Sequence, residues 1–206
     1  MRVYRCVLLA ALAAGLLSAC ANLGGRPQPV SHFVLEIPTA ANAQPSESRA
    51  GVLLLRDTET PGLFQSVRLV YSRVPGTLAY YQYARWSDAP SRSLNARLRQ
   101  RLNDTGPFAA VVPLGAGVRA EYQLNTRLRE FFHDAAHAPG VARVVLEAEL
   151  VRREDGRLLA RELFRAEAPA ASHDAAGAAA ALGAASGRLV DQMATWLARV
   201  RPADAR

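Results

Sequence analysis

Polar and apolar positions change rhythm several times along this chain, and each rhythm predicts an element. Phe33 to Pro38 is a short apolar strand stopped by proline, Ala40 to Arg49 is a polar, turn-rich loop, and Val52 to Arg56 has the length and branching of a buried strand. Val67 to Arg73 and Leu78 to Arg85 flank Pro75-Gly76, a pair suited to a type II turn, and predict a hairpin. Leu94, Leu98 and Leu102 then recur at one-turn spacing, a helix capped by Ser87 or Asp88, with Pro90 near its first turn and Gly106-Pro107 at its end. Phe108 to Pro113 is another short apolar strand. From Ala120 to His133 the period is two: Tyr122, Leu124, Leu128 and Phe132 face one way, Gln123, Asn125, Arg127 and Arg129 the other, which predicts a sheet covered on one side. Val141 to Arg153 and Arg157 to Ala168 flank Glu154-Asp155-Gly156, where Asp-Gly is a strong hairpin signal. Asp174 to Arg199 closes the chain as a helix, Ala-rich with Gly177, Gly183 and Gly187 in its first half, then striped by Leu189, Met193, Trp196, Leu197 and Val200. The order predicts an α+β domain over residues 32–201, a mostly antiparallel sheet with two helices packed on one face.

The first residues have a different character. Arg2 and Arg5 supply a positive start, Val7 to Leu17 is apolar, and Leu17-Ser18-Ala19-Cys20 follows at once. The apolar run is shorter than the roughly 20 residues a membrane span requires, and suits the core of a cleaved export signal, residues 1–19. Its ending resembles the lipobox of bacterial lipoproteins, with small residues for the peptidase pocket and the Cys20 thiol as acceptor of the lipid. Stable anchoring takes more than one acyl chain, a condition that a triacylated cysteine meets. Residues 20–31, with Gly24, Gly25, Pro27 and Pro29, read as a flexible tether. Ala21 stands where an Asp would argue for inner-membrane retention, which favours the periplasmic face of the outer membrane.

Composition narrows the chemistry. Cleavage removes Cys6, leaving one acylated thiol and no disulfide framework. The net charge of +7 falls to +5 without Arg2 and Arg5. All 25 basic residues are arginines scattered through strands and helices, which, in that compartment, excludes nucleic acid as a partner. Without lysine there is no phosphate loop of the ATPase type, and no later segment is apolar enough for a permease span. His133 and His137 stand four apart, but a strand end and Pro139-Gly140 separate them from any helix, so they read as two loop histidines rather than metal ligands. Asp57 and Glu59 read as a solvated strand end rather than an acid–base pair. No catalytic residue and no cofactor is predicted. Arg92, Arg97, Arg99 and Arg101 surround the leucine stripe of the first helix and offer a surface for an acidic partner or headgroups, or a solvated face. Tyr80, Tyr81, Tyr83, Arg85 and Trp86 form the densest aromatic group, mostly core with a partner-facing edge, where Arg85 can stack on a ring.

Phe33-Val34-Leu35 with Pro38, then Val52 to Leu55, then Tyr80 to Pro90 with Arg85-Trp86, the leucine helix and Gly106-Pro107-Phe108, resemble in their order the ABC-type transport auxiliary lipoprotein family, the PqiC/YmbA-like proteins. Tyr122 to Phe132, the strands Val144 to Leu150 and Leu158 to Phe164, and the closing Trp196-Leu197 continue the likeness; Phe33 stands where the family commonly has Tyr. The resemblance implies a non-enzymatic, lipid-anchored binding and scaffolding module. Its partners would be an MCE (mammalian cell entry) protein and the permease and ATPase of an ABC system that moves phospholipids or other hydrophobic compounds. An envelope enzyme or its activator, for instance one acting on peptidoglycan, and a structural lipoprotein are the alternative readings. A homo-oligomer stays open.

Overall fold

The computed structural model describes residues 28–38 and 50–200. The export signal, Cys20, most of the tether and the loop from Ala40 to Arg49 lie outside the described residues.

Among the described residues eight strands and two α-helices form in the order β1 (Ser31–Phe33), β2 (Ala50–Leu55), β3 (Arg68–Ser72), β4 (Ala79–Trp86), α1 (Pro90–Thr105), β5 (Phe108–Pro113), β6 (Tyr122–Asp134), β7 (Val141–Arg152), β8 (Leu158–Pro169) and α2 (Ala175–Val200). One mixed sheet is built around β6. On one side β7 and then β8 add in antiparallel fashion along almost their whole length. The other side of β6 is shared: its first residues pair in parallel with β2, which carries β5, and its last two pair in parallel with β3, which carries β4 and β1. The parallel pairings are short, so the sheet is mostly antiparallel. Both helices cover one face, α1 against β5 and α2 against β6 to β8, leaving the other face open as the period-two pattern predicts.

The turns form for local reasons. Thr77 N–H donates to the Val74 carbonyl across Pro75-Gly76, with Gly76 at φ +78, which proline cannot adopt and glycine can. Helix α1 buries Leu94, Leu98 and Leu102. Its N-cap is Ala89, with no side-chain cap bond, while Asp88 stands one residue outside and accepts the Ala89 N–H at 2.8 Å. The expected cap at Ser87 or Asp88 is thus displaced by one residue, because Pro90 needs no N–H partner at N1. The first strand ends at Phe33 rather than running to Pro38; residues 34–38 instead lie against α2, where Gly183 and Gly187 leave room for their backbone.

One face assignment is corrected. Register shifts between Leu128 and Glu130, a bulge that swaps faces for every residue after it. Leu124, Thr126 and Leu128 point to the core before it, and Phe131 and His133 after it, so Phe132 is not on the Leu128 face. The core includes two edge-on aromatic pairs, Trp86 with Phe131 (5.9 Å between centroids) and Phe164 with Trp196 (5.5 Å).

Candidate functional site

The open sheet face follows from period two meeting antiparallel register. Outward positions of β6, β7 and β8 are mostly charged, and register sets Arg127 opposite Glu147, Glu149 opposite Arg161, and Arg143 opposite Glu167. A ladder of ion pairs results: Arg127 with Glu59 at 2.7 Å, Arg129 with Glu147, Arg161 with Glu149 at 2.5 Å, and Arg143 with Asp134 at 2.9 Å. The first three of these pairs line a depression of about 370 Å³ bordered by Arg56. The Arg129 guanidinium bonded to Glu147 holds that carboxyl below its usual range. Exposed pairs contribute little each, about 0–1 kcal/mol. Chemically, the face presents a row of alternating charges, and the carboxylate of Glu59 is engaged by Arg127 rather than aligned with Asp57 for proton transfer. This ladder was missed from sequence; the signal was the alternation of Arg127, Arg129, Glu147, Glu149 and Arg161, but their register was not visible.

His133 is not in a loop. It is fully buried on β6, and this overturns its reading as one of two loop histidines. The Pro139 carbonyl can only accept, so Nε2–H donates to it at 3.1 Å, and Nδ1 accepts the Tyr81 hydroxyl at 2.8 Å. Burial lowers the His133 pKa and favours this neutral form, and burial pushes Tyr81 up to about 12. Gly140, at φ +95, closes over the ring; a Cβ there would stand 2.0 Å from Nε2. His137 lies exposed in the loop beyond, so the two imidazoles do not converge. Among the described residues no three His, Cys, Asp or Glu side chains gather around a common point.

The aromatic group on β4 divides. Trp86 is core, Tyr81 is tied to His133, and Tyr83 is 42% exposed on the edge of the sheet. Register between β3 and β4 slips between Arg68 and Val70, and the Arg85 guanidinium fills the irregularity, donating from Nη1 to the carbonyls of Tyr81, Gln82 and Ala84 at 3.0, 3.3 and 2.8 Å. The cations over rings are others: Arg68 over Tyr80 and Arg73 over Tyr71, at 4.7 and 5.1 Å.

The four helix arginines are also not equivalent. Arg92 pairs with Asp88 at 2.9 Å. Arg101 is drawn into the α1–α2 seam, its side chain only 11% exposed, by Asp191 at 3.0 Å. Arg97 donates to Gln100. Arg97 and Arg99 are of intermediate exposure. Among the described residues no helix is long and apolar enough to cross a membrane.

Comparison with known proteins gives this geometry a family. The protein XCC0632 from Xanthomonas campestris superimposes with a TM-score of 0.74 at 25% identity, over 82% of this chain and 96% of that one. An uncharacterized protein of known structure follows at 0.61 and 14% identity, over 84% and 98%. The PelC dodecamer from Paraburkholderia phytofirmans is more distant, at 0.47 and 14% over 79% and 96%. No curated protein matches the chain. Residues 33–194, nearly all of the folded domain, match the ABC-type transport auxiliary lipoprotein component, and the chain belongs to that family.

Proposed function

We propose that this protein is the lipid-anchored partner of an ABC transport system containing an MCE-domain protein, acting without catalysis by tying the periplasmic machinery to the periplasmic face of the outer membrane. The family match over residues 33–194 carries the reading. Behind it stand the signal and lipobox ending at Cys20 and the sequence likeness to proteins of lipid-moving systems. The acyl chains fix one end, the tether sets reach, and the folded domain holds the transporter. Phospholipids or other hydrophobic compounds are the cargo.

The docking surface on this reading is the outer edge of β8, which among the described residues pairs only with β7, rather than α1, whose basic face is diminished by the Arg92 and Arg101 pairs. The edge from Leu158 to Ala166, ahead of the Glu167 carbonyl that Arg188 engages, carries Leu163 and Arg165 and is a template for an added strand. Retention of the tagged, acylated protein from gently solubilised membranes is expected to recover a permease, an ATPase and an MCE-domain protein. Leu163→Glu with Arg165→Glu should lower that recovery at least fivefold. Recovery of none of those subunits would overturn the proposal.

A further inference from the structure

The domain is polarised along its strands. At one end the β7–β8 turn brings together Arg152, Arg153, Glu154, Asp155 and Arg157, an end dense in charge with Arg152 and Asp155 paired at 2.9 Å. At the other end the β3–β4 hairpin tip presents Val74, 59% exposed, with Pro75, Gly76 and Leu78. Its neighbours there are the loop after β6, with exposed Ala136, Ala138 and Pro139, reached through the Ala135 N–H donating to Ser72 at 2.7 Å. Of the carboxylates at that end, Asp134 is held by Arg143, which Glu167 also faces at 3.8 Å, and Asp174 accepts the Gly177 N–H at the start of α2. Arg73 is its cation, lying over the Tyr71 ring.

The direction of the chain decides what meets this end. Strand β1 runs parallel to β4 with Ser31 opposite Ala84 and Phe33 opposite Trp86. The start of β1 is therefore directed toward Ala79 and the hairpin tip, and Val30 just before it is exposed. The five residues from Ala84 to Ala79 span at most about 17 Å at 3.3 Å per residue, with the tip directly beyond. The ten residues from Ala21 to Val30 reach up to about 33–36 Å when extended. Cys20 and the tip can thus touch one plane, while the charged end stands about 40 Å away across β6 and β7.

We infer that the hairpin tip, Val74 to Leu78 with Arg73, is a second membrane contact that seats in the lipid–water interface beside the acyl anchor. This rests on the anchoring reading above. An exposed apolar turn flanked by a cation is the chemistry an interface accepts: methyl groups enter the acyl boundary and the guanidinium stays among headgroups. Two contacts instead of one would hold the domain upright, with the charged end directed away from the bilayer.

The acylated protein, purified from membranes, is reconstituted into phosphatidylethanolamine–phosphatidylglycerol vesicles with an environment-sensitive fluorophore on Val74→Cys, or on Glu154→Cys at the far end. With Cys20 acylated, the introduced thiol is the one labelled. The expected result is blue-shifted emission at position 74 and quenching by spin-labelled lipid at least threefold greater than at position 154. Hydrogen exchange of the unlabelled protein should slow at Thr77 and Leu78 on reconstitution, which checks the result without a probe. Protein that floats with the vesicles but shows equal quenching at both positions overturns the tip contact and leaves anchoring intact. Protein that does not float overturns anchoring, and the tip contact with it.

Discussion

Helix α2 carries Gly183 and Gly187 where alanine would ordinarily be better, and both lie against residues 34–38. Replacing an interior helical Gly by Ala normally stabilises by about 0.8–1 kcal/mol. At Gly183 the added Cβ would sit 2.2 Å from the Glu36 carbonyl oxygen, a backbone atom that cannot swing aside. Residues 34–38 would have to lift from the helix, exposing Leu35, now buried, and the half-buried Ile37. Burying a side chain of this size contributes about 1.5–3 kcal/mol, so losing one fully and one in part costs roughly 2–4 kcal/mol against a gain near 1. Gly183→Ala is therefore expected to destabilise by about 1–3 kcal/mol. At Gly187 the Cβ would meet Pro38 at 3.2 and 3.3 Å, a contact relieved by a few tenths of an ångström, and Gly187→Ala should fall within about 0.5 kcal/mol of the parent. Urea unfolding followed by fluorescence of the buried Trp86 and Trp196 measures both, and limited proteolysis reports whether residues 34–38 have come free. A Gly183→Ala protein as stable as the parent, or a larger loss at Gly187 than at Gly183, would refute the packing argument.

Two other outcomes follow from buried polar groups. Burial lowers the His133 pKa in the fold, so its contribution is complete above the unfolded value near 6.5 and declines as pH falls below it; Tyr81, His173, Asp134 and Asp174 are the titratable groups around it. The urea midpoint should drop between pH 7 and pH 5.5, and His133→Gln should flatten that slope; a parallel slope in the variant would show that other groups set it. Arg85→Leu removes the donor to three carbonyls at the β4 irregularity and should cost about 2 kcal/mol, the scale of bonds to a charged group, with exchange of the Trp86 amide accelerated; an unchanged urea midpoint would mean that water replaces the guanidinium there.

Arg85 also marks the boundary of what sequence reasoning could reach. Its proximity to Tyr81, Tyr83 and Trp86 was plain, and stacking was the natural expectation. The guanidinium instead serves carbonyls turned out of the ladder by an irregularity that no local pattern announces. The same holds at Phe132, whose face inverts because of the bulge between Leu128 and Glu130, and at Arg101, whose partner Asp191 lies on the other helix.

Period, turn chemistry and the leader are local matters. The leucines of α1, Pro75-Gly76, Asp155-Gly156, the alternation before Leu128 and the segment ending at Cys20 each act within a few residues, so the chain alone determined the element order, the α+β class and the family likeness. Tertiary structure decided the rest: that β6 divides one edge between β2 and β3, that outward charges meet as a ladder, that His133 is a core group held by Tyr81 and Pro139, and that β1 lies parallel on β4. Each depends on which distant residue comes to lie opposite, and register between strands is set by the packing of the whole sheet against its helices, not by any stretch of sequence taken by itself.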